Sequence, residues 1–162
     1  MVRQIFQLSL LVSIAAAIPA VIYRGDSRSP ETIEADGGFR CRGDSFGEPK
    51  NSSMSYHQHV MMEPGNPGYN NDPWISTSSN YSWIVGYFGR HFEGNTTWIY
   101  HINTTDLPNA VDISEAYKAD GKEYSKPDEA EIAVKDIIPW SNIIEWDKYH
   151  ISEDGTRKDR ID

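Results

Sequence analysis

Short apolar runs rich in β-branched and aromatic residues alternate along the chain with segments of glycine, proline and polar residues. Such runs predict short strands, because these side chains favour the pleated backbone, and the intervening segments predict turns. We expect a strand from Ile132 to Val134, and further strands at residues 20–26, 74–78, 96–103, 137–140 and 143–149. The pattern is therefore that of a domain built around β-sheet.

Helix signals occur between these strands. A serine-proline pair at residues 29–30 begins one helix, and paired glycines at residues 37–38 end it. Short helices are also predicted at residues 112–119 and within residues 52–62. Asn80 caps another helix with an apolar stripe at helical spacing, formed by Trp83, Ile84, Tyr87 and Phe88. The mixture predicts an α+β domain in which two small packed sheets are flanked by short helices.

The N-terminus has the pattern of a secretory signal. Arg3 precedes an apolar run that ends in small residues and is too short to span a bilayer comfortably. We expect a signal peptide of residues 1–17, with cleavage after Ala20 as the alternative, because both positions follow small side chains. The mature protein is therefore expected to be secreted and extracellular.

Length and composition suit one folded domain. The chain of 162 residues has the size of an ordinary domain, and its 12% aromatic content favours a folded state. We expect the domain over residues 18–151 and a charged, flexible tail over residues 152–162. Acidic residues outnumber basic ones by 24 to 15, which argues against a nucleic-acid partner held by bulk charge.

The cysteine, histidine and asparagine residues indicate which disulfides, metal sites and glycosylation sites are expected. Cys41 is the only cysteine, so a disulfide scaffold is excluded and a part-buried packing role is expected. His57 and His59 have no cysteine or carboxylate at ligand spacing, and no metal site is predicted. Asn-x-Ser/Thr triplets would be surface glycan acceptors in a secreted eukaryotic protein, and they begin at Asn51, Asn80, Asn95 and Asn103.

Glu129 and Glu131 stand at the start of the apolar run that predicts a strand near residue 132. Side chains two residues apart in a strand share a face, so we expect both carboxylates to point into one site. The alternative is that they form the solvent face of an edge strand, because a Glu-x-Glu pair is by itself a weak signal. Arg24 leaves a similar choice, between an ion pair with Asp26 and the binding of a ligand phosphate or carboxylate.

Three separated motifs carry a family resemblance: Tyr23-Arg24-Gly25-Asp26-Ser27-Arg28, Ser76-Thr77-Ser78 and Pro127-Asp128-Glu129-Ala130-Glu131. Their order resembles the catalytic A subunits of cholera toxin and the heat-labile enterotoxins, and the related fungal enterotoxin-like proteins, over residues 21–149. The resemblance implies the ADP-ribosyltransferase fold, NAD as the co-substrate without a metal, and transfer of ADP-ribose to an arginine of a host target protein.

The same resemblance implies roles for individual residues. Glu131 matches the catalytic glutamate, and Glu129 matches the acid associated with arginine as the acceptor. Tyr124, expected to be exposed in the loop before the acids, is the candidate target contact. His57 leaves the choice of active-site histidine open, although His59 fits the family better. The implied NAD-binding residues are Arg24, Asp26, His59, Ser76, Thr77 and Ser78, of which Thr77 and Ser78 could serve the strand more than the chemistry.

Other functions stay open on the residues alone. A small secreted ribonuclease or glycosidase would use Glu129 or Glu131 with His59 as an acid and base pair. A NAD glycohydrolase would let water replace the arginine, and a non-catalytic protein on the same fold would bind a partner through exposed aromatic residues. We expect no membrane span in the mature protein and no receptor-binding chain, so action in host cells would require another route of uptake.

Overall fold

The computed structural model of the protein describes residues 17–45 and 50–161. The predicted signal peptide therefore lies, apart from its last residue, outside the described residues. No helix within these two ranges is long and apolar enough to cross a membrane.

The strands predicted from apolar runs all form. Three more strands, at Gly38–Arg40, Ala110–Asp112 and Lys158–Arg160, have three residues each and are too short to leave a periodic pattern in the sequence. In chain order the strands of the described residues are β1 Val21–Asp26, β2 Gly38–Arg40, β3 Trp74–Ser78, β4 Thr96–Asn103, β5 Ala110–Asp112, β6 Glu131–Lys135, β7 Ile137–Pro139, β8 Ile143–Ile151 and β9 Lys158–Arg160.

The helices are short, and three of those in the described ranges have a side-chain cap at their first turn. The Asn80 side chain accepts a hydrogen bond from the Trp83 amide, as the predicted cap requires. Ser55 and Gln58 form a reciprocal capping box at the third helix, whereas Ser29 holds the cap position of the first without a side-chain bond. The helices are α1 Pro30–Ala35, α2 Arg42–Ser45, α3 Tyr56–Val60, α4 Tyr81–His91 and α5 Ile113–Ala119.

Seven strands form one antiparallel sheet in the order β5-β6-β3-β1-β4-β8-β9, and β2 pairs with β7 in a second sheet. At the centre of the large sheet, β1 is joined to β3 by the single residue pair Tyr23 and Ser78, whereas β1 pairs with β4 along its whole length. The sheet therefore divides into two lobes where β1 and β3 diverge. Residues after Tyr23 and before Ser78 flank the opening.

The core lies on the faces of these lobes. Helix α4 approaches β1 closely because Gly25 has no side chain, and a Cβ there would lie 2.3 Å from the Phe88 ring. Cys41 is buried, as expected for a packing residue. The largest group of buried apolar side chains consists of Ile22, Ile33, Phe39, Cys41, Ile75, Tyr100, Ile102, Ile132, Val134, Ile138 and Ile143.

The C-terminal residues differ from the predicted flexible tail. Strand β9 pairs with β8 from Tyr149 to Ile151, and Arg160 Nη2 lies 2.6 Å from the buried Asp147 Oδ1. This pairing is explained by the edge of β8, which offers unpaired backbone groups, and by the buried Asp147 carboxylate, which needs a cationic partner. The short, charged sequence of β9 shows neither the unpaired edge of β8 nor the buried Asp147 carboxylate, so the strand could not be predicted from it.

Candidate active site

A cavity of about 920 Å³ lies where the two lobes separate. Its volume falls within the range of about 300–1,000 Å³ that is usual for small-molecule sites. The residues predicted as site residues that line it are Arg24, Asp26, His59, Ser76, Thr77, Glu129 and Glu131. The three sequence motifs therefore meet at one cavity.

Glu131 is the first residue of β6 and pairs in register with Ser78. Its side chain is buried, and Oε1 lies 3.1 Å from His59 Nε2 while Oε2 accepts a hydrogen bond of 3.2 Å from Tyr124. Burial alone would raise the pKa of Glu131, but hydrogen bonds from His59, Ser76 and Tyr124 hold it below its usual range. Glu131 is therefore an ionised carboxylate at neutral pH.

His59 lies on α3 between two carboxylates. Its Nδ1 is 2.6 Å from Asp72 Oδ2, and its Nε2 is 3.1 Å from both Ser76 Oγ and Glu131 Oε1. Burial lowers the pKa of His59, but the bonds to the two carboxylates outweigh this effect and raise the pKa to about 9. The ring is an imidazolium at neutral pH and donates toward both acids.

The structure distinguishes the two histidines of α3. His57 is not among the residues that line the cavity, and its Nε2 lies 3.3 Å from Asp120 Oδ2 and 3.2 Å from Lys122 Nζ. Its ring also lies against the ring of Tyr117. His59 is therefore the histidine of the cavity.

Asp72 is a site residue that the sequence analysis missed. It is 2% exposed, and its Oδ1 accepts the amide of Trp74 at 2.9 Å while Oδ2 meets His59. The only local signal is an acid placed directly before a proline and a buried strand. Its partner is thirteen residues away on another element, so the ion pair exists only after α3 packs against the start of β3.

Arg24 spans the gap between the diverging strands. Its Nη1 donates to the Ser76 carbonyl at 2.7 Å, and Nη2 lies 3.5 Å from Asp26 Oδ2. Burial lowers the pKa of Arg24, and nearby Arg28 and Arg42 lower it further by repulsion. Within the described residues, the buried Nε has no hydrogen-bond partner. Such a group of cations at one cavity suits an anionic ligand.

The three hydroxyl residues of β3 have different partners. Ser76 Oγ lies beside His59 at 3.1 Å. Thr77 donates to the Ile132 carbonyl, and Ser78 donates to the Glu129 carbonyl at 2.6 Å. The hydroxyls of Thr77 and Ser78 therefore hold the backbone, in agreement with a role in the strand, and their implied part in NAD binding stays a prediction.

Glu129 is not on the strand that was predicted to carry both acids. It ends a 3₁₀ turn over Pro127–Glu129, and Ala130 then adopts a left-handed conformation with φ 44° and ψ 49°. The strand begins only at Glu131. The alternation argument is therefore wrong, yet Tyr124 reaches both carboxylates. Burial raises the pKa of Glu129, and the Glu131 charge raises it further.

Tyr124 is buried, which contradicts the expectation that it is exposed. The side chain is 8% exposed and packs in a cluster with Trp74, Ile113 and Tyr117. Its hydroxyl lies 3.2 Å from Glu131 Oε2 and 3.4 Å from Glu129 Oε2. Its polar sequence neighbours gave no sign of this burial. Its role as a contact for a target protein stays a prediction.

Comparison with known proteins agrees with this geometry. Residues 2–157 match the family described as heat-labile enterotoxin alpha chain. The chain is 31% identical over 127 residues to the NAD(+)–arginine ADP-ribosyltransferase Chelt of Vibrio cholerae, covering 76% of this chain and 20% of that protein. It is 29% identical over 156 residues to the cholera enterotoxin A polypeptide of Vibrio cholerae serotype O1, covering 93% of this chain and 58% of that polypeptide.

A solved structure of a heat-labile enterotoxin variant superposes with a TM-score of 0.60 at 24% identity, covering 86% of this chain and 73% of that chain. This likeness confirms the predicted α+β fold. The chain spans 20% and 58% of the lengths of the two curated relatives, so it corresponds to a part of each. In the described ranges, no group of three or more histidine, cysteine or acidic residues could hold a metal ion.

Proposed function

The chain belongs to the heat-labile enterotoxin alpha chain family, and from this membership and the site geometry we propose that it transfers ADP-ribose from NAD to an arginine of a host protein. The observation that carries the proposal is the Glu131 carboxylate, held by His59 and Tyr124 beside a cavity that also contains Arg24 and Glu129. In this reaction NAD is a co-substrate that supplies the ADP-ribose.

Bond cleavage requires a fixed anion beside the ribose. When the bond between C1′ and the nicotinamide nitrogen breaks, its electron pair leaves with a neutral nicotinamide, so no general acid is required. Positive charge develops on the ribose, as in glycoside chemistry. The ionised Glu131 stabilises this charge and accepts a hydrogen bond from the 2′-hydroxyl. His59 and Ser76 hold the carboxylate in place.

Arg24 is the anchor for the diphosphate in this proposal. It is fixed by the Ser76 carbonyl and Asp26, and the repulsion from Arg28 and Arg42 is relieved when an anion binds. The bound substrate then lies between this cation and Glu131.

In this proposal Glu129 accepts a proton from the arginine that receives ADP-ribose. A guanidinium has a pKa above about 12 and is a poor nucleophile until it loses a proton. One guanidinium nitrogen forms the new bond to C1′, and its proton passes to Glu129. A carboxylate whose pKa is raised by burial is a better proton acceptor than an exposed one. The second acid therefore favours arginine over water.

Family membership and the N-terminal sequence support a proposal for the biological setting. We propose a secreted toxin or virulence effector whose catalytic domain spans residues 18–151, with the added strand β9 completing the sheet. Its partner is a host protein with an accessible arginine.

The test uses the full chain with labelled NAD and agmatine, a small guanidino acceptor. Glu131→Gln should reduce both nicotinamide release and agmatine labelling by about 100-fold or more. Glu129→Gln should reduce labelling while nicotinamide release continues. Glu145→Gln, at a side chain that is 63% exposed, is the control and should change neither rate.

The alternatives give different results. Nicotinamide release by the unaltered protein without labelled agmatine would identify a NAD glycohydrolase. No release together with no NAD binding in calorimetry would contradict the proposed function and leave a non-catalytic binding protein.

A further inference from the structure

The Tyr124 hydroxyl is shared by the two acids of the site. It lies 3.2 Å from Glu131 Oε2 and 3.4 Å from Glu129 Oε2. The ring that carries it is fixed, since it is buried and lies 5.3 Å from the ring of Tyr117 between centroids. The hydroxyl therefore occupies a defined position between the two carboxylates.

A phenol has a single proton, so it cannot donate to both carboxylates at once. With both carboxylates ionised, Tyr124 donates to one of them at a time. Once Glu129 has accepted a proton, both contacts are satisfied, because Glu129 donates to the Tyr124 oxygen while Tyr124 donates to Glu131. Burial, with the two neighbouring carboxylates, raises the pKa of Tyr124, which keeps the phenol neutral. The residue can therefore relay a hydrogen bond but does not act as a base.

Glu129 has little else to fix its side chain. Its backbone carbonyl is held by Ser78, but it lies on a short 3₁₀ turn, and Tyr124 is the hydrogen-bond partner found for its carboxylate among the described residues. Glu131 differs, because His59 also binds it. Loss of the Tyr124 hydroxyl would therefore release Glu129 more than Glu131.

We propose that Tyr124 is a positioning residue that holds the Glu129 carboxylate for the acceptor and thereby decides whether ADP-ribose passes to arginine or to water. The inference rests on the proposed arginine transfer. In that reaction a guanidinium nitrogen bonds to C1′ and its proton moves to Glu129. The new O–H then donates to the Tyr124 oxygen while Tyr124 donates to Glu131, and the accepted proton leaves to solvent when the product departs.

The first experiment compares Tyr124→Phe with Tyr117→Phe. Both variants remove one hydroxyl from the same aromatic cluster and keep the ring. Tyr124→Phe should lower kcat/KM for agmatine labelling by about 10- to 100-fold, as expected for a hydrogen bond to a charged group. NAD hydrolysis and the KM for NAD should stay within about threefold, and Tyr117→Phe should change neither reaction.

An equal loss of transfer and hydrolysis in Tyr124→Phe would assign the hydroxyl to the stability of the site and overturn the inference, as would unchanged transfer. A protein in which no variant, nor the unaltered chain, shows either reaction would contradict the proposed function instead.

A second measurement does not depend on turnover. Carbon-13 NMR of glutamate carboxyls in the full chain follows the titration of Glu129 and Glu131, which face His59, Tyr124 and Lys126. Tyr124→Phe should shift the midpoint of Glu129, and Tyr117→Phe should not. Identical titrations in the unaltered and Tyr124→Phe proteins would overturn the inference whatever the activity.

Discussion

The two acids of the site are held in opposite ways. Glu131 begins β6, which lies between β5 and β3, and meets His59, which is itself fixed by Asp72; we call these three residues the strand-held half. Glu129 ends a 3₁₀ turn and meets Tyr124 through a longer contact of 3.4 Å; we call these two the turn-held half. Rigidity is therefore concentrated on one side of the cavity.

This difference suits two chemical tasks. Bond cleavage at the ribose needs a fixed charge, because a displaced carboxylate stabilises the developing cation poorly. Acceptance of an arginine from another protein needs a group that adjusts to an incoming surface. In our proposal the strand-held half performs cleavage and the turn-held half selects the acceptor, so changes to each half should give different results.

The largest effect is expected from Asp72→Asn, which breaks the strand-held half. The buried imidazolium of His59 loses an anionic partner at 2.6 Å while the contact to Trp74 can be kept. Removal of one partner from a buried pair lowers the free energy of unfolding by about 3–5 kcal/mol. Urea unfolding should show this loss, and nicotinamide release and agmatine labelling should fall together.

The control for that change is Asp120→Asn, which removes the carboxylate beside His57. Asp120 is 43% exposed, so the loss should be below about 1 kcal/mol. Equal destabilisation by the two variants would contradict the contrast between a buried and an exposed pair.

The pH dependence of the unfolding free energy should differ between the two halves, with effects somewhat smaller than that of Asp72→Asn. The pKa of His59 rises from 6.5 to about 9 on folding. Protonated His59 therefore adds about 3 kcal/mol to the unfolding free energy. This stabilisation is complete below about pH 6.5 and is lost as the pH rises through 9. The lowered pKa of Glu131 adds stability above about pH 4.5 that is lost in acid. Glu129, with a raised pKa, should instead gain stability as the pH falls.

The measurement is the difference in unfolding free energy between the unaltered protein and His59→Gln from pH 5 to pH 10. That difference should shrink above about pH 6.5. A constant difference across the range would show that His59 folds as a neutral ring.

Ser78→Ala tests how the turn-held half is attached to the sheet. The Ser78 hydroxyl donates to the Glu129 carbonyl at 2.6 Å and accepts the Asn80 amide at 2.8 Å. Its loss should lower the unfolding free energy by about 1–3 kcal/mol, because two part-buried hydrogen bonds are lost together. Labelling should fall several-fold more than hydrolysis. Ser79→Ala, which removes the weaker bond to the Ala130 carbonyl at 3.2 Å, should have a smaller effect on both.

The sequence predicted the strands of the sheet better than the turn that precedes β6. Runs such as residues 74–78 and 96–103 matched strands, because β-branched and aromatic side chains favour the pleated backbone locally. The meeting of Glu129 and Glu131 was also predicted, but for the wrong reason, since a left-handed Ala130 brings them together where strand alternation was assumed.

The remaining features depend on contacts between distant segments. Asp72 acquires its role only when α3 brings His59 to it, and Tyr124 is buried by α5 and β6 although its own sequence neighbours are polar. Local periodicity cannot report either contact. Strand β9 is charged and short, and it forms because β8 offers an edge.

The smallest effect is expected from Ala130→Gly, which relaxes the link between the two halves. A non-glycine residue at φ 44° carries a steric cost, and glycine removes it while adding freedom to the unfolded chain. The net gain in unfolding free energy should be at most about 1 kcal/mol. The added freedom of the turn should lower agmatine labelling by less than about twofold and leave hydrolysis unchanged. Asn109→Gly, at a left-handed residue with φ 56° outside the site, should alter stability alone. A large loss of hydrolysis in Ala130→Gly would mean that the turn also positions Glu131, and the division of labour between the halves would then be wrong.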